Sequence, residues 1–124
     1  MSITLRVHHT DVATVVAVAG RLTLGEGASR LRETLQQLVA DGTRRIVLNL
    51  AELSYLDSSG IGLLVSSYAT MNRVGGQIKL ASLSSRVKDL LLITKLLTVF
   101  EIYEHELAAL DSFADSGKAA KGNA

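Results

Sequence analysis

Cysteine and proline are both absent from this 124-residue chain, and aromatic side chains make up only 4% of it. Without cysteine there are no disulfides, no thiolate nucleophile and no thiolate metal site. Without proline, and with no low-complexity stretch or internal repeat, nothing divides the chain into pieces. The scarcity of aromatics means that a core must be built from Leu, Val, Ile and Ala, which the 48% hydrophobic content supplies. Charge of one sign is missing as well. Thirteen Lys and Arg against twelve Asp and Glu leave a net charge of +1, too little field to gather nucleic acid or an anionic membrane surface. The most apolar stretch, Leu90 to Leu97, is eight residues long and contains Lys95, far short of the ~20 residues of a spanning helix. Met1 to His9 shows no basic segment followed by an apolar run. These absences lead to the expectation of a cytoplasmic, single-domain protein with no membrane segment, no direct nucleic-acid partner and no cofactor. A chain of this length buries roughly two-thirds of the surface its unfolded form exposes.

What is present is a regular alternation of strand and helix patterns. Ile3, Leu5 and Val7 alternate with Thr4, Arg6 and His8, and after a polar turn the run from Val12 to Ala19 is apolar on both faces. The pair reads as an opening hairpin whose second strand is central in a covered sheet. From Ala28 the period changes, with Ala28, Leu31, Leu35, Leu38 and Val39 on one helical face and Asp41-Gly42 ending the run. Arg45 to Leu50 is a short β-rich run, and strand, helix and strand in this order imply a right-handed crossover to a parallel partner. After a connection over Ala51 to Leu56, a second helix begins near Ser58 with Ile61, Leu64, Val65, Tyr68 and Met71 on one side, and Gly75-Gly76 stops it. Gln77 to Ala81 is a further strand, Ser84 or Ser85 caps a third helix, Phe100 to Tyr103 forms an edge strand, and Glu106 to Phe113 a last helix. The expected architecture is α/β: a mixed sheet of four to five strands with helices mainly on one face. The domain is expected over residues 1–113 and a flexible tail over 114–124, where the composition is small and polar.

The chemically interesting segment is Leu53-Ser54-Tyr55-Leu56-Asp57-Ser58-Ser59-Gly60-Ile61-Gly62. A polar cluster runs straight into an apolar helix. At the least this is a helix cap, in which Asp57, Ser58 or Ser59 accepts a hydrogen bond from a first-turn amide and Gly60 permits close packing. A hydroxyl at that position also sits among free N–H groups at the positive end of the helix dipole. A phosphate there is tolerated by the fold, whereas a partner packed over it would meet about −1.5 to −2 added charges.

At these residues the chain resembles the STAS-domain family of bacterial anti-sigma-factor antagonists. The resemblance spans about residues 3 to 112 and rests on the opening hairpin to Gly20, the Arg45 to Leu50 strand, the Asp57-Ser58-Ser59-Gly60 tetrapeptide ahead of its Ile-Gly-Leu-Leu helix, and Gly75-Gly76. The resemblance implies a partner-switching protein. The serine after the Asp, Ser58 here, would be phosphorylated by a serine kinase that is itself the anti-sigma factor, and a serine phosphatase would restore it. The unmodified antagonist would bind the kinase and free the sigma factor. Asp57, Ser59, Gly60 and Ile61 would belong to the same partner-binding surface. Many relatives carry an acidic residue shortly after the second-strand Gly, where this chain reads Gly20-Arg21-Leu22-Thr23-Leu24-Gly25. Arg21, Thr23 and Gly25 are therefore expected partner contacts, with Arg21 either exposed or paired to phosphoserine.

Other chemistries fit poorly. Gly20, Gly25 and Gly27 lack the Gly-Lys-Ser/Thr ending of a phosphate loop and the Gly-x-Gly-x-x-Gly pattern. His8, His9 and His105 have no second ligand at metal spacing. Ser58 has no evident oriented base, since Asp57 is its sequence neighbour, so the chain is expected to have no catalytic activity of its own. The rival reading is a constitutive STAS scaffold, or a subunit of a stress-signalling or lipid-transport assembly, without phosphorylation. Apolar helix faces serve core and interface alike, which leaves a homodimer open.

Overall fold

The structure, a computed structural model, describes residues 3–122. Its elements follow in the order β1 (Ile3–His9), β2 (Thr14–Leu22), α1 (Glu26–Ala40), β3 (Arg45–Asn49), β4 (Leu53–Leu56), α2 (Ser58–Arg73), β5 (Gln77–Ala81), α3 (Ser85–Ile93), a short 3-10 turn (Leu97–Val99), β6 (Ile102–Tyr103) and α4 (Glu106–Gly122). The strands form one mixed sheet in the order β1-β2-β3-β5-β6, with β4 also paired to β2. β1 is antiparallel to β2 and every other pairing is parallel.

The sheet has six strands rather than the four or five expected, because Leu53 to Leu56 is a strand and not a connection. β2 is long enough to hold two partners in succession: Thr14 to Ala17 pair with β3, and Gly20 to Leu22 pair with β4. At the second junction the register shifts, Gly20 facing Leu53 and Arg21 facing Tyr55, so Ser54 is an extra residue. Its hydroxyl donates to the Gly20 carbonyl at 2.9 Å, satisfying an acceptor beside this β-bulge.

Alternation along β2 sends its side chains to two cores, as its doubly apolar pattern requires. Val16, Val18 and Leu22 join Ile46, Leu48, Ile78 and Leu80 beneath α1, α2 and α3, which contribute Leu31, Leu35, Leu63, Leu64, Val87 and Leu91. Val15 joins Val47 and Ala81 on the other face, covered by Ala109 and Phe113 of α4. Three helices thus occupy one face and α4 part of the other, where it packs on β3, β5 and β6. Beneath α4 lies Lys79, whose side chain is only 3% exposed. Its ammonium donates to the Ser112 hydroxyl at 2.7 Å, lies 3.5 Å from Glu101 and stands 4.1 Å from the Phe113 ring centre. A buried cation needs such partners, so Lys79 ties α4 to the sheet.

The helix limits differ from expectation at the chain's end. α4 continues to Gly122 through the stretch expected as a flexible tail, and residues 123–124 of that stretch lie outside the described residues. Ala114, Lys118, Ala119, Ala120 and Lys121 are strong helix formers, and they carry the backbone past Gly117. Among the described residues no helix is long and apolar enough to cross a membrane.

Candidate functional site

β2 and β4 are parallel, and their last residues, Leu22 and Leu56, face each other in register. The chain segments that leave them must therefore emerge side by side at the carboxyl end of the sheet, the usual place for a functional surface in α/β folds. One is the loop from Thr23 to Gly25; the other is Asp57 and the start of α2. Leu22 and Leu56 are both buried in the main core, so the two exits are fixed to the same hydrophobic foundation.

Asp57 is the N-cap of α2, with extended backbone (φ −100°, ψ −170°) and one carboxylate oxygen accepting from the Gly60 amide at 3.0 Å. The other oxygen accepts from the Leu24 amide, also at 3.0 Å, across the gap to the neighbouring loop. The Asp57 amide itself donates to the Leu22 carbonyl at 3.3 Å. Both carboxylate oxygens are thus held by backbone donors, and these hold its pKa below the usual carboxylate value, Leu24 contributing most and Gly60 next, against a smaller opposing effect of burial. Asp57 is ionised at neutral pH.

Ser58 follows as the first helical residue and is exposed, while Ser59 is half-buried. Gly60 is buried against β2. A β-carbon there would lie 2.3 Å from the Leu22 carbonyl oxygen and 3.0 Å from the Leu56 β-carbon. Glycine at this position lets the first turn of α2 sit directly on the ends of the two strands, which is how Ser58 comes to be held at the rim. Ile61 is half-buried and packs against the main core, its amide closing the first helical bond to the Asp57 carbonyl at 2.9 Å. No acidic side chain follows in the first turn of α2, but the Asp57 carboxylate already occupies the N-cap, so the positive end of the dipole compensates an anion on Ser58 only in part.

The second segment is equally constrained. Gly25 takes φ +102°, a conformation that other residues rarely adopt, and serves as the N-cap of α1 without a side-chain cap. The Thr23 carbonyl accepts from the Ala28 amide and the Gly25 carbonyl from the Ser29 amide, each at 3.0 Å. Thr23 is half-buried and Gly25 exposed. Between them Leu24 is 79% exposed. Arg21, one residue before the buried Leu22, is directed to the other face of the sheet, where its guanidinium lies 4.7 Å from the Tyr55 ring centre. The structure therefore brings Asp57, Ser58, Ser59, Thr23 and Gly25 to one rim and places Arg21 on Tyr55 at its edge. Sequence reasoning expected the Arg21 to Gly25 loop as a partner-binding segment without singling out Leu24, and it missed Tyr55; the pairing of β2 with β4 is the signal that would have found both roles.

The histidines have structural partners elsewhere. His8 lies 3.3 Å from the Glu106 carboxylate and His9 is hydrogen-bonded to the Thr14 hydroxyl at 2.8 Å. His105 Nδ1 accepts from the Ala108 amide at the start of α4.

Comparison with known proteins agrees with this fold. A family model described as the STAS domain matches residues 4–109. An anti-sigma F factor antagonist from Paenibacillus polymyxa is 27% identical over 113 residues, covering 89% of this chain and 94% of that protein. An anti-sigma factor antagonist from Mycobacterium paratuberculosis superposes with a TM-score of 0.82 at 24% identity, over 91% of this chain and 95% of the other. The Bacillus cell fate determinant SpoIIAA, solved in its phosphorylated form, superposes with a TM-score of 0.70 at 22% identity, over 88% and 98% of the two chains.

Proposed function

Because the chain belongs to the STAS-domain family, we propose that it is an anti-sigma-factor antagonist whose binding to a partner is turned off by phosphorylation of Ser58. The observation that carries this reading is the exposed Ser58 hydroxyl on the first residue of α2, directly after an N-cap Asp that fixes the helix start. A phosphate at that position lies at the positive end of the helix dipole, which compensates part of its charge by about 0.3 to 1 kcal/mol. The fold bears the modification. A partner covering the same spot does not, since an unpaired charge in a close interface costs about 2 to 5 kcal/mol, or roughly thirty-fold to several thousand-fold in affinity.

The partner is an anti-sigma factor with serine kinase activity, which supplies the phosphate from its own ATP, and a serine phosphatase resets the switch; the assembly is cytoplasmic. Contact is made through Asp57, Ser58, Ser59, Ile61, Thr23 and Gly25, with Arg21 at the rim and Gly60 setting the height of the helix start. A role as an enzyme is disfavoured by the site's chemistry. Asp57 is the nearest carboxylate in sequence, and its two oxygens are committed to the Leu24 and Gly60 amides. Its depressed pKa also makes it a weak base.

The test is to incubate the protein with the kinase and ATP, locate the phosphate by mass spectrometry, and measure the affinity of Ser58→Ala and Ser58→Glu for the kinase. Phosphate on Ser58 and binding at least about thirty-fold weaker for Ser58→Glu are expected. Equal binding by the two variants would overturn the switch.

A further inference from the structure

Leu24 stands beside the switch serine with 79% of its surface exposed. A single exposed Leu is ordinary on a protein surface. What sets this one apart is that its backbone is fixed from three directions. Its own amide is held by Asp57 Oδ2 at 3.0 Å, across thirty-three residues of sequence. The carbonyl before it accepts from Ala28, and the carbonyl after it from Ser29. Gly25, at φ +102°, takes the turn that follows it, a conformation other residues rarely adopt. The result is an apolar side chain presented on a rigid mount, adjacent to a residue whose chemistry changes.

We infer that Leu24 is the apolar anchor by which the partner protein grips this surface, and that Asp57 is the positioning residue that holds the anchor out. The inference rests on the switch reading above. It adds the kind of partner surface required: an apolar recess that accepts one leucine side chain, set beside the place where the partner meets the unmodified Ser58 hydroxyl. Rigid mounting matters because an anchor that is already ordered loses little conformational freedom on binding. It also gives Asp57 two separable tasks, capping α2 through Gly60 and holding Leu24.

Those tasks are separated by Asp57→Asn. Asparagine is as good an N-cap as aspartate, so its carbonyl oxygen keeps the Gly60 amide. Its amide nitrogen is then turned toward the Leu24 N–H, donor against donor, and the hold on the loop is lost. Amide hydrogen exchange followed by NMR is expected to show Leu24 exchanging about tenfold faster or more in Asp57→Asn, while Gly60 and Ile61 stay within about twofold.

Binding is then measured with the purified serine kinase that modifies Ser58 as the probe. Leu24→Ala is expected to weaken it by roughly tenfold to a hundredfold, the loss of one buried leucine side chain. Asp57→Asn is expected to weaken binding less than Leu24→Ala. In the double variant, Asp57→Asn is expected to cost clearly less than it does alone, because a mount without an anchor has no effect and only Asp57's own contact is left to lose. Thermal unfolding of each variant shows that it is folded. Binding of Leu24→Ala within about twofold of the parent would overturn the anchor, and fully additive losses would overturn the positioning role of Asp57. If Ser58→Glu binds as tightly as Ser58→Ala while Leu24→Ala does not bind, the switch falls and the anchor stands.

Discussion

A β-carbon at Gly60 would meet the Leu22 carbonyl at 2.3 Å and the Leu22 and Leu56 side chains near 3 Å, in a place where backbone, not a flexible side chain, is the first obstacle. Alanine would gain up to about 1 kcal/mol of helix propensity over glycine there, but overpacking typically costs about 1 to 3 kcal/mol and a backbone collision belongs at the upper end. Gly60→Ala is therefore expected to lower stability by about 1 to 2 kcal/mol, read as a reduced urea midpoint at unchanged slope. Residues of the cap itself were legible in the sequence because capping is local: Asp57 and the amide it binds are three positions apart. The bond from Leu24 to Asp57 and the place of Tyr55 beside Arg21 were not legible, since both depend on two strands meeting end to end. The pairing of Arg21 with Tyr55 is likewise a property of the β2 and β4 register.

Among the elements, β4 shows how a strand escapes a periodicity reading. Its buried residues are Leu53 and Leu56, spaced by three, because Ser54 is an extra residue in the ladder. A spacing of two would have announced a strand; a spacing of three in a four-residue segment resembles a loop or a helical turn. The long, doubly apolar β2 and the amphipathic α1 and α2 carried no such irregularity, and they were readable. α4 is the opposite case, an element whose first half is packed by side chains and whose second half follows from propensity. Phe113 is the largest side chain it buries, over Val15, Val47 and Ala81 and against the Lys79 ammonium. Phe113→Ala is expected to cost about 3 to 5 kcal/mol in chemical denaturation, since it opens a cavity beside a buried charge. Phosphorylation of Ser58 in the folded fraction is expected to be unaffected, because α4 packs on the sheet face opposite to α2.

For the whole molecule, the exposure of Ser58 above the main core separates the proposed regulation from stability. The main core lies under α1, α2 and α3, and Ser58, the proposed switch, sits outside it, exposed at the rim. Charge placed on Ser58 should then alter what the protein binds far more than how well it folds. Ser58→Glu is expected to change the thermal midpoint by no more than about 5 °C, the equivalent of ~1 kcal/mol in a domain of this size. A drop of 15 °C in calorimetry would mean that the switch works by unfolding. The sharing of β2 between two partners has a different consequence, for the order in which the chain is made. One side of β2 pairs with β1, which has already emerged from the ribosome when β2 is synthesised; the other side pairs with residues 46–49 and then 53–56. Half of the central strand's hydrogen bonds therefore wait for chain not yet translated, with α1 the only helix made in the interval. The last of these partners to be made, β4, leads directly into Asp57, so the contact between Asp57 and Leu24 waits for β4 but precedes the synthesis of β5 and β6.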